Sequence, residues 1–212
     1  MSSLIEHVEE SFERAEVCQS KLNEAVLSMP GMSGKKTRHL YNNLASMDDA
    51  RYLEIGVWKG STLCSAMFEN EMTCVGIDNW SEFRGPKDEF ANNFAHHKGK
   101  NNASFIESDC WNVDPSVLGS FNIYMYDGHH TEESHYKALN HFLPCMDDEF
   151  IFIIDDWNWL NVREGTLKSI EDNNMEILFQ KEIRTSEDNN HAKSAGAQSD
   201  WHNGISVFVL KK

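Results

Sequence analysis

The sequence is poor in several features that define other classes of protein. No run in it approaches about 18 apolar residues, so nothing reads as a membrane span. Its five cysteines, Cys18, Cys64, Cys74, Cys110 and Cys145, are scattered, odd in number and never within four residues of one another. That spacing offers no zinc ribbon and no redox pair, and it argues against a disulfide framework. Positive charge is scarce: 19 Lys and Arg stand against 34 Asp and Glu, a net charge of −15. Such a surface repels phosphate backbones and anionic lipid, so no nucleic-acid or membrane partner is expected. A small neutral or cationic ligand meets no such barrier. The opening stretch SSLIEHVEESFERAE lacks the apolar core of a signal peptide. A soluble, cytoplasmic protein is the expectation.

What is present is an alternating rhythm. The 212 residues suffice for one α/β domain. Residues 3–28 carry Leu4, Val8, Phe12, Ala15, Leu22, Ala25 and Val26 at helical spacing, which predicts one amphipathic helix stopped by Pro30 and Gly31. A second helix is expected over 36–47. Together they suggest an N-terminal helical cap, 1–48, joined to a main domain, 49–212, as one structural unit. From residue 51, short apolar strands (51–55, 73–78, 103–107, 121–126, 149–154) alternate with helices near 61–70, 87–97, 131–142 and 163–173. That pattern means βαβ units and a mainly parallel sheet. Strands at 175–184 and 204–210 close the chain, and the polar segment 185–203 between them reads as a mobile loop.

In an open parallel sheet, ligands bind beyond the carboxyl ends of the strands. Each of the first five strands is followed by acid there: Glu54, Asp78, Asp109, Asp127, and the pair Asp155 and Asp156. Glu54 leads into Gly56-Val57-Trp58-Lys59-Gly60-Ser61-Thr62. Gly56 and Gly60 permit a tight turn and close backbone approach, and Ser61 can cap the next helix. A dinucleotide loop would show G-x-G-x-x-G with no acid beside it, because a pyrophosphate needs bare N–H groups. The G-x-x-x-G spacing and Glu54 suit a cationic ligand instead, such as a sulfonium or an amino group. Asp78, 24 residues after Glu54, is placed to accept from ribose hydroxyls, and Asp109 from an adenine amino group. Asp127 and the Asp155–Asp156 pair end strands expected to be neighbours. Three clustered carboxylates repel, and a hard divalent cation removes that cost: Mg²⁺ first, with Mn²⁺ or Ca²⁺ open.

The stretches LEIGVWKGST, VGID, YDGHH and IIDD resemble the class I S-adenosylmethionine-dependent methyltransferases. Within them they are similar to the metal-dependent sugar and small-molecule O-methyltransferases of the macrolide and aminocoumarin type. The likeness runs over about 51–160. It implies a Rossmann-like, doubly wound, seven-stranded sheet. It also implies S-adenosylmethionine held by Glu54, Gly56, Gly60, Ser61, Thr62, Asp78 and Asp109, and a metal on Asp127, Asp155 and Asp156. His130, in Asp127-Gly128-His129-His130, would lie near the reacting hydroxyl as general base, with His129 a competitor for that role. The implied acceptor is a small hydroxylated molecule, a sugar among the candidates. N-methylation, another enzyme on the same platform, and a non-catalytic S-adenosylmethionine-binding protein stay open. A nicotinamide-dependent dehydrogenase is disfavoured by Glu54 and the glycine spacing. A Pro-Gly-Gly turn common in the relatives is replaced by Pro144-Cys145-Met146. Trp80, Trp111 and Trp157 are candidates to flank adenine or the acceptor. Loop 185–203 is a candidate for acceptor choice, and a homo-oligomer is left open.

Overall fold

A computed structural model describes residues 3–212. Seven strands, β1 (Arg51–Ile55), β2 (Thr73–Asp78), β3 (Asn102–Glu107), β4 (Phe121–Tyr126), β5 (Met146–Asp155), β6 (Glu176–Ile183) and β7 (Ile205–Lys211), form one sheet in the order β3-β2-β1-β4-β5-β7-β6. The first five pair in parallel, whereas β7 runs antiparallel to both β5 and β6. The sheet is therefore mixed, closed by one antiparallel hairpin. The order reverses between β1 and β4, which opens a crevice at their carboxyl ends.

Both faces of the sheet are covered, as its residues require. β4 and the second half of β5 are buried throughout, a continuous apolar run rather than an alternating one. On one face lie α1 (Ser3–Glu16), α3 (Lys35–Leu44), α4 (Ser61–Met67) and α5 (Lys87–His97), whose Phe12, Tyr41, Leu63 and Phe90 share a core with Tyr52, Ile123 and Val207. On the other lie α6 (Glu132–Phe142) and α7 (Leu160–Asp172), which bury Leu139, Phe142 and Ile170 against Tyr124, Phe152 and Phe208.

The N-terminal region departs from the expected helix pattern. Residues 3–28 are not one helix. Cys18 takes a left-handed φ of 54°, and the Gln19 N–H closes on the Arg14 carbonyl, a Schellman-type stop that ends α1. The chain resumes in a single turn, α2 (Glu24–Leu27), capped by the Asn23 side chain. α1 and α3 belong to the same core layer as α4 and α5, a layer that also holds Tyr52 of β1. Arg38 in α3 is fully buried and donates through Nη1 to the carbonyls of Val26, Leu27 and Met29, and through Nε to Ser33. It thereby ties segment 26–33 down beside the start of α4, where Ser33 meets Ser61.

Candidate active site

A cleft of about 870 Å³ opens at the reversal point of the sheet, within the usual range for small-molecule sites. Its floor is the β1–α4 turn. Gly56 has φ +89°, and a Cβ there would meet the Asp127 carbonyl oxygen at 1.9 Å, so only glycine lets the ends of β1 and β4 come this close. The Asp78 carboxylate accepts the backbone N–H groups of Trp58 (2.8 Å) and Trp80 (2.6 Å). Trp80 returns a hydrogen bond from its indole N–H to the Trp58 carbonyl. Asp78 thus braces two loops as well as lining the cleft. Asp109 caps the 3₁₀ turn Cys110–Asn112 through the Trp111 N–H and also lines the cleft.

Glu54, Gly60, Ser61 and Thr62 stand behind this floor and do not line the cleft. The Glu54 carboxylate is sealed, accepting from Tyr52 and Thr62. Burial pushes its pKa up to about 8, although both hydrogen bonds oppose that shift. Glu54 therefore joins β1 to the start of α4.

At the ends of β4 and β5 the structure brings together Asp127, His130 and Asp156, whose ligand-type atoms all lie within 4.8 Å of one another. His130 Nε2 is 3.3 Å from Asp127 Oδ1 and 2.9 Å from Asp156 Oδ2. His202 Nε2 lies 3.8 Å from the other Asp156 oxygen. Burial alone would lower the pKa of His130. The two carboxylates outweigh it and push the imidazolium up to about 10. Burial likewise raises Asp127, while burial of Asp156 is overcome by His130, which holds that carboxyl below its ordinary value. Asp155 lines the cleft but lies outside this group. It is buried, one oxygen has no partner, and burial together with the charges of Asp127 and Asp156 raises its pKa well above the usual carboxylate range. His129 lines the cleft and is exposed.

One feature of the cleft residues carried no signal in the sequence, the backbone conformation of five of them. Trp58, Trp80, Phe83, Asp156 and His202 all line it, and all are non-glycine residues with φ between 44° and 54°. Such backbone costs of order 1–3 kcal/mol per residue, and it gathers here around one cavity. Met32 and Asn203 also contribute. Trp80 and Trp111 line the cleft as the sequence suggested, but Trp157 is a core residue whose indole N–H donates to Glu182. Loop 185–203 supplies His191, Ala195, Gly196, His202 and Asn203, so it forms one wall.

Residues 53–157, from β1 to just beyond β5, match the family model described as a methyltransferase domain. The fold is that of the class I, S-adenosylmethionine-dependent methyltransferases, and residues 53–157 carry the match. Solved structures of the same fold include an O-methyltransferase from Bacillus cereus in complex with SAH, 13% identical with TM-score 0.57, covering 97% of this chain and 91% of that one. SAH-bound methyltransferase PaMTH1 from Podospora anserina is 12% identical with TM-score 0.58, covering 100% of this chain and 89% of that one. A candidate SAM-dependent methyltransferase from Streptococcus mutans is 12% identical with TM-score 0.56, with 83% of this chain covered. The chain spans about half the length of that protein (48%). No curated protein matches by sequence. Among the described residues, no helix is long and apolar enough to cross a membrane.

Proposed function

We propose that this methyltransferase moves the methyl group of S-adenosylmethionine to a hydroxyl of a small molecule, with a divalent cation at Asp127 and Asp156 and His130 as general base. The reading is carried by the Asp127–His130–Asp156 cluster, which shares one cleft with the glycine turn and Asp78. The residues fit a cation. Two carboxylates, Asp127 and Asp156, converge at one end of the cleft, with oxygens 3.3 and 2.9 Å from a single imidazole nitrogen, so a positive charge is required there. Without a cation, that charge has to come from a proton on His130. Carboxylate oxygen donors favour Mg²⁺, with Mn²⁺ second. Such an ion, when bound, lowers the pKa of an acceptor hydroxyl and neutralises the carboxylates.

The chain's own residues supply the rest. Gly56 and Asp78 shape the cofactor half of the cleft, and His130 stands at the acceptor half. The hydroxyl oxygen attacks the methyl carbon, the carbon–sulfur bond breaks with its electron pair left on sulfur, and the hydroxyl proton passes to His130 Nε2. That role needs a neutral imidazole, so the charges of Asp127 and Asp156 have to be balanced by something other than the His130 proton. Asn161 donates to the His130 carbonyl and fixes the turn that carries it.

The test is a methyl-transfer assay beside calorimetry with S-adenosylhomocysteine. His130→Ala is expected to cut turnover by about 10²-fold or more, with S-adenosylhomocysteine affinity within about threefold of wild type. EDTA is expected to abolish turnover and Mg²⁺ or Mn²⁺ to restore it. Unaltered turnover in the variant removes the base role, and activity that survives EDTA favours an amine acceptor.

A further inference from the structure

The two halves of the cleft differ in a way that constrains the acceptor. The ends of β1, β2 and β3 contribute the glycine turn, Asp78, Trp80 and Asp109, which is the cofactor half in the reading above. The ends of β4 and β5, the start of α7 and loop 185–203 enclose the other half. There three rings run in series: His130 packs edge-on with Trp159, and Trp159 with His191, each pair with centroids 4.9 Å apart. Trp159 is half-buried and lines the cleft, so ring surface remains for a ligand. The segment bearing His191 is fastened in place. The Asn203 side chain accepts the Ala192 N–H, and Arg163 grips Asn189 while donating to the carbonyls of Trp157 and Asn158.

Charge supplies the second observation. Among the described residues lining the cleft there is no lysine and no arginine, while six are acidic. Arg163, the cation next to this wall, is committed to those carbonyls and to Asn189. Lys59, near the cofactor turn, is paired with Glu89. Recognition of phosphate, sulfate or carboxylate ordinarily uses arginine forks, lysine, or a free helix N-terminus. Of the residues at the start of α7, Trp159 lines the cleft while Leu160, Asn161 and Val162 do not.

We infer that Trp159 and His191 form a ring-stacking wall that selects an uncharged or cationic cyclic acceptor and excludes phosphorylated and carboxylated ones. This rests on the methyl-transfer reading and names the substrate class of that same site. A flat or chair-shaped ring presents apolar C–H or π surface to Trp159 and its hydroxyl toward His130. An anionic substituent on that ring would meet no lysine or arginine along the cleft, while the cation and His130 at Asp127 and Asp156 are engaged by the reacting hydroxyl in the reading above.

The experiment measures binding, so it does not depend on finding the true acceptor. The protein is saturated with S-adenosylhomocysteine and Mg²⁺. Matched probes are then titrated by calorimetry and ligand-observed NMR: catechol against 3,4-dihydroxybenzoate, and methyl glucoside against glucose 6-phosphate. The neutral member of at least one pair is expected to bind tenfold or more tightly than its anionic partner. Trp159→Ala is expected to weaken that binding at least tenfold, Trp159→Phe to restore most of it, and His191→Ala to weaken it by a smaller factor, each with S-adenosylhomocysteine affinity unchanged. Equal or tighter binding of the anionic probes overturns the inference, as does binding indifferent to Trp159→Ala or no binding by any probe. Failure of S-adenosylhomocysteine to bind the wild type is a separate result, and it overturns the methyltransferase reading beneath the inference.

Discussion

At the scale of single residues, the site depends on positions where no other side chain serves equally well. Gly56 is the sharpest. Its left-handed φ and the Asp127 carbonyl 1.9 Å from where a Cβ would lie combine two penalties. Gly119 is the control, because its φ is +94° with nothing within 4 Å of a Cβ. Gly119→Ala is expected to cost about 1–2 kcal/mol from backbone strain alone. Gly56→Ala is expected to cost about 4 kcal/mol or more and to part the ends of β1 and β4. Urea unfolding of the two variants checks this, and equal losses would show that the β1–β4 contact yields easily. The importance of Gly56 was legible in LEIGVWKGST. The left-handed backbone of Trp58, Trp80 and Asp156 was not, since no residue type announces it. Asp155 and Asp156 show a further limit of reading a motif. Asp155 is the last residue of β5 and Asp156, at a left-handed φ of 54°, lies just beyond it; both line the cleft, yet only the Asp156 carboxylate is grouped with Asp127. The i, i+3 turn from Asp127 brings in His130 instead.

At the scale of elements, periodicity served well wherever it agreed with packing. Strands 51–55, 73–78 and 121–126 and helix 87–97 stand where their apolar pattern placed them. It failed at residues 3–28, where helical spacing continues in the sequence while Cys18 turns the chain away. What holds the displaced segment is Arg38, a buried cation with no carboxylate partner, and burial lowers its pKa to about 10. Its stabilising role lies in the three carbonyls it satisfies. Arg38→Ala leaves those carbonyls without a donor and opens a void beneath α2. Such a change costs on the order of 3–5 kcal/mol. Because Met32, in the tethered stretch, lines the cleft, S-adenosylhomocysteine affinity is expected to fall as well. Chemical denaturation together with calorimetry tests both effects. Lost stability with unchanged affinity would mean that segment 29–34 holds its place without Arg38.

At the scale of the whole molecule, two buried groups on opposite faces of the sheet bound the pH range of stability from opposite sides. His135 packs in the α6 layer with both ring nitrogens lacking partners, and burial, reinforced by the charge on His130, lowers its pKa from 6.5 to about 3. Between those values the unfolded chain binds the extra proton, so stability rises with pH and is lost as the solution is acidified. Glu54, on the other side, has its pKa raised from 4.5 to about 8 by burial. There the folded chain binds the extra proton, so stability is full below about 4.5 and declines as pH climbs toward 8. The two slopes oppose each other between about 4.5 and 6.5 and nearly cancel, which leaves a plateau with a falling limb on either side. His135→Phe is expected to flatten the acid limb relative to wild type, and Glu54→Gln the alkaline limb. The full effect of each is of order 4 kcal/mol by linkage. Unfolding free energies measured from about pH 3 to 9 for the three proteins decide the matter. Acid and alkaline limbs that persist unchanged in the respective variants would assign the pH dependence to the Asp127–His130–Asp156 cluster instead.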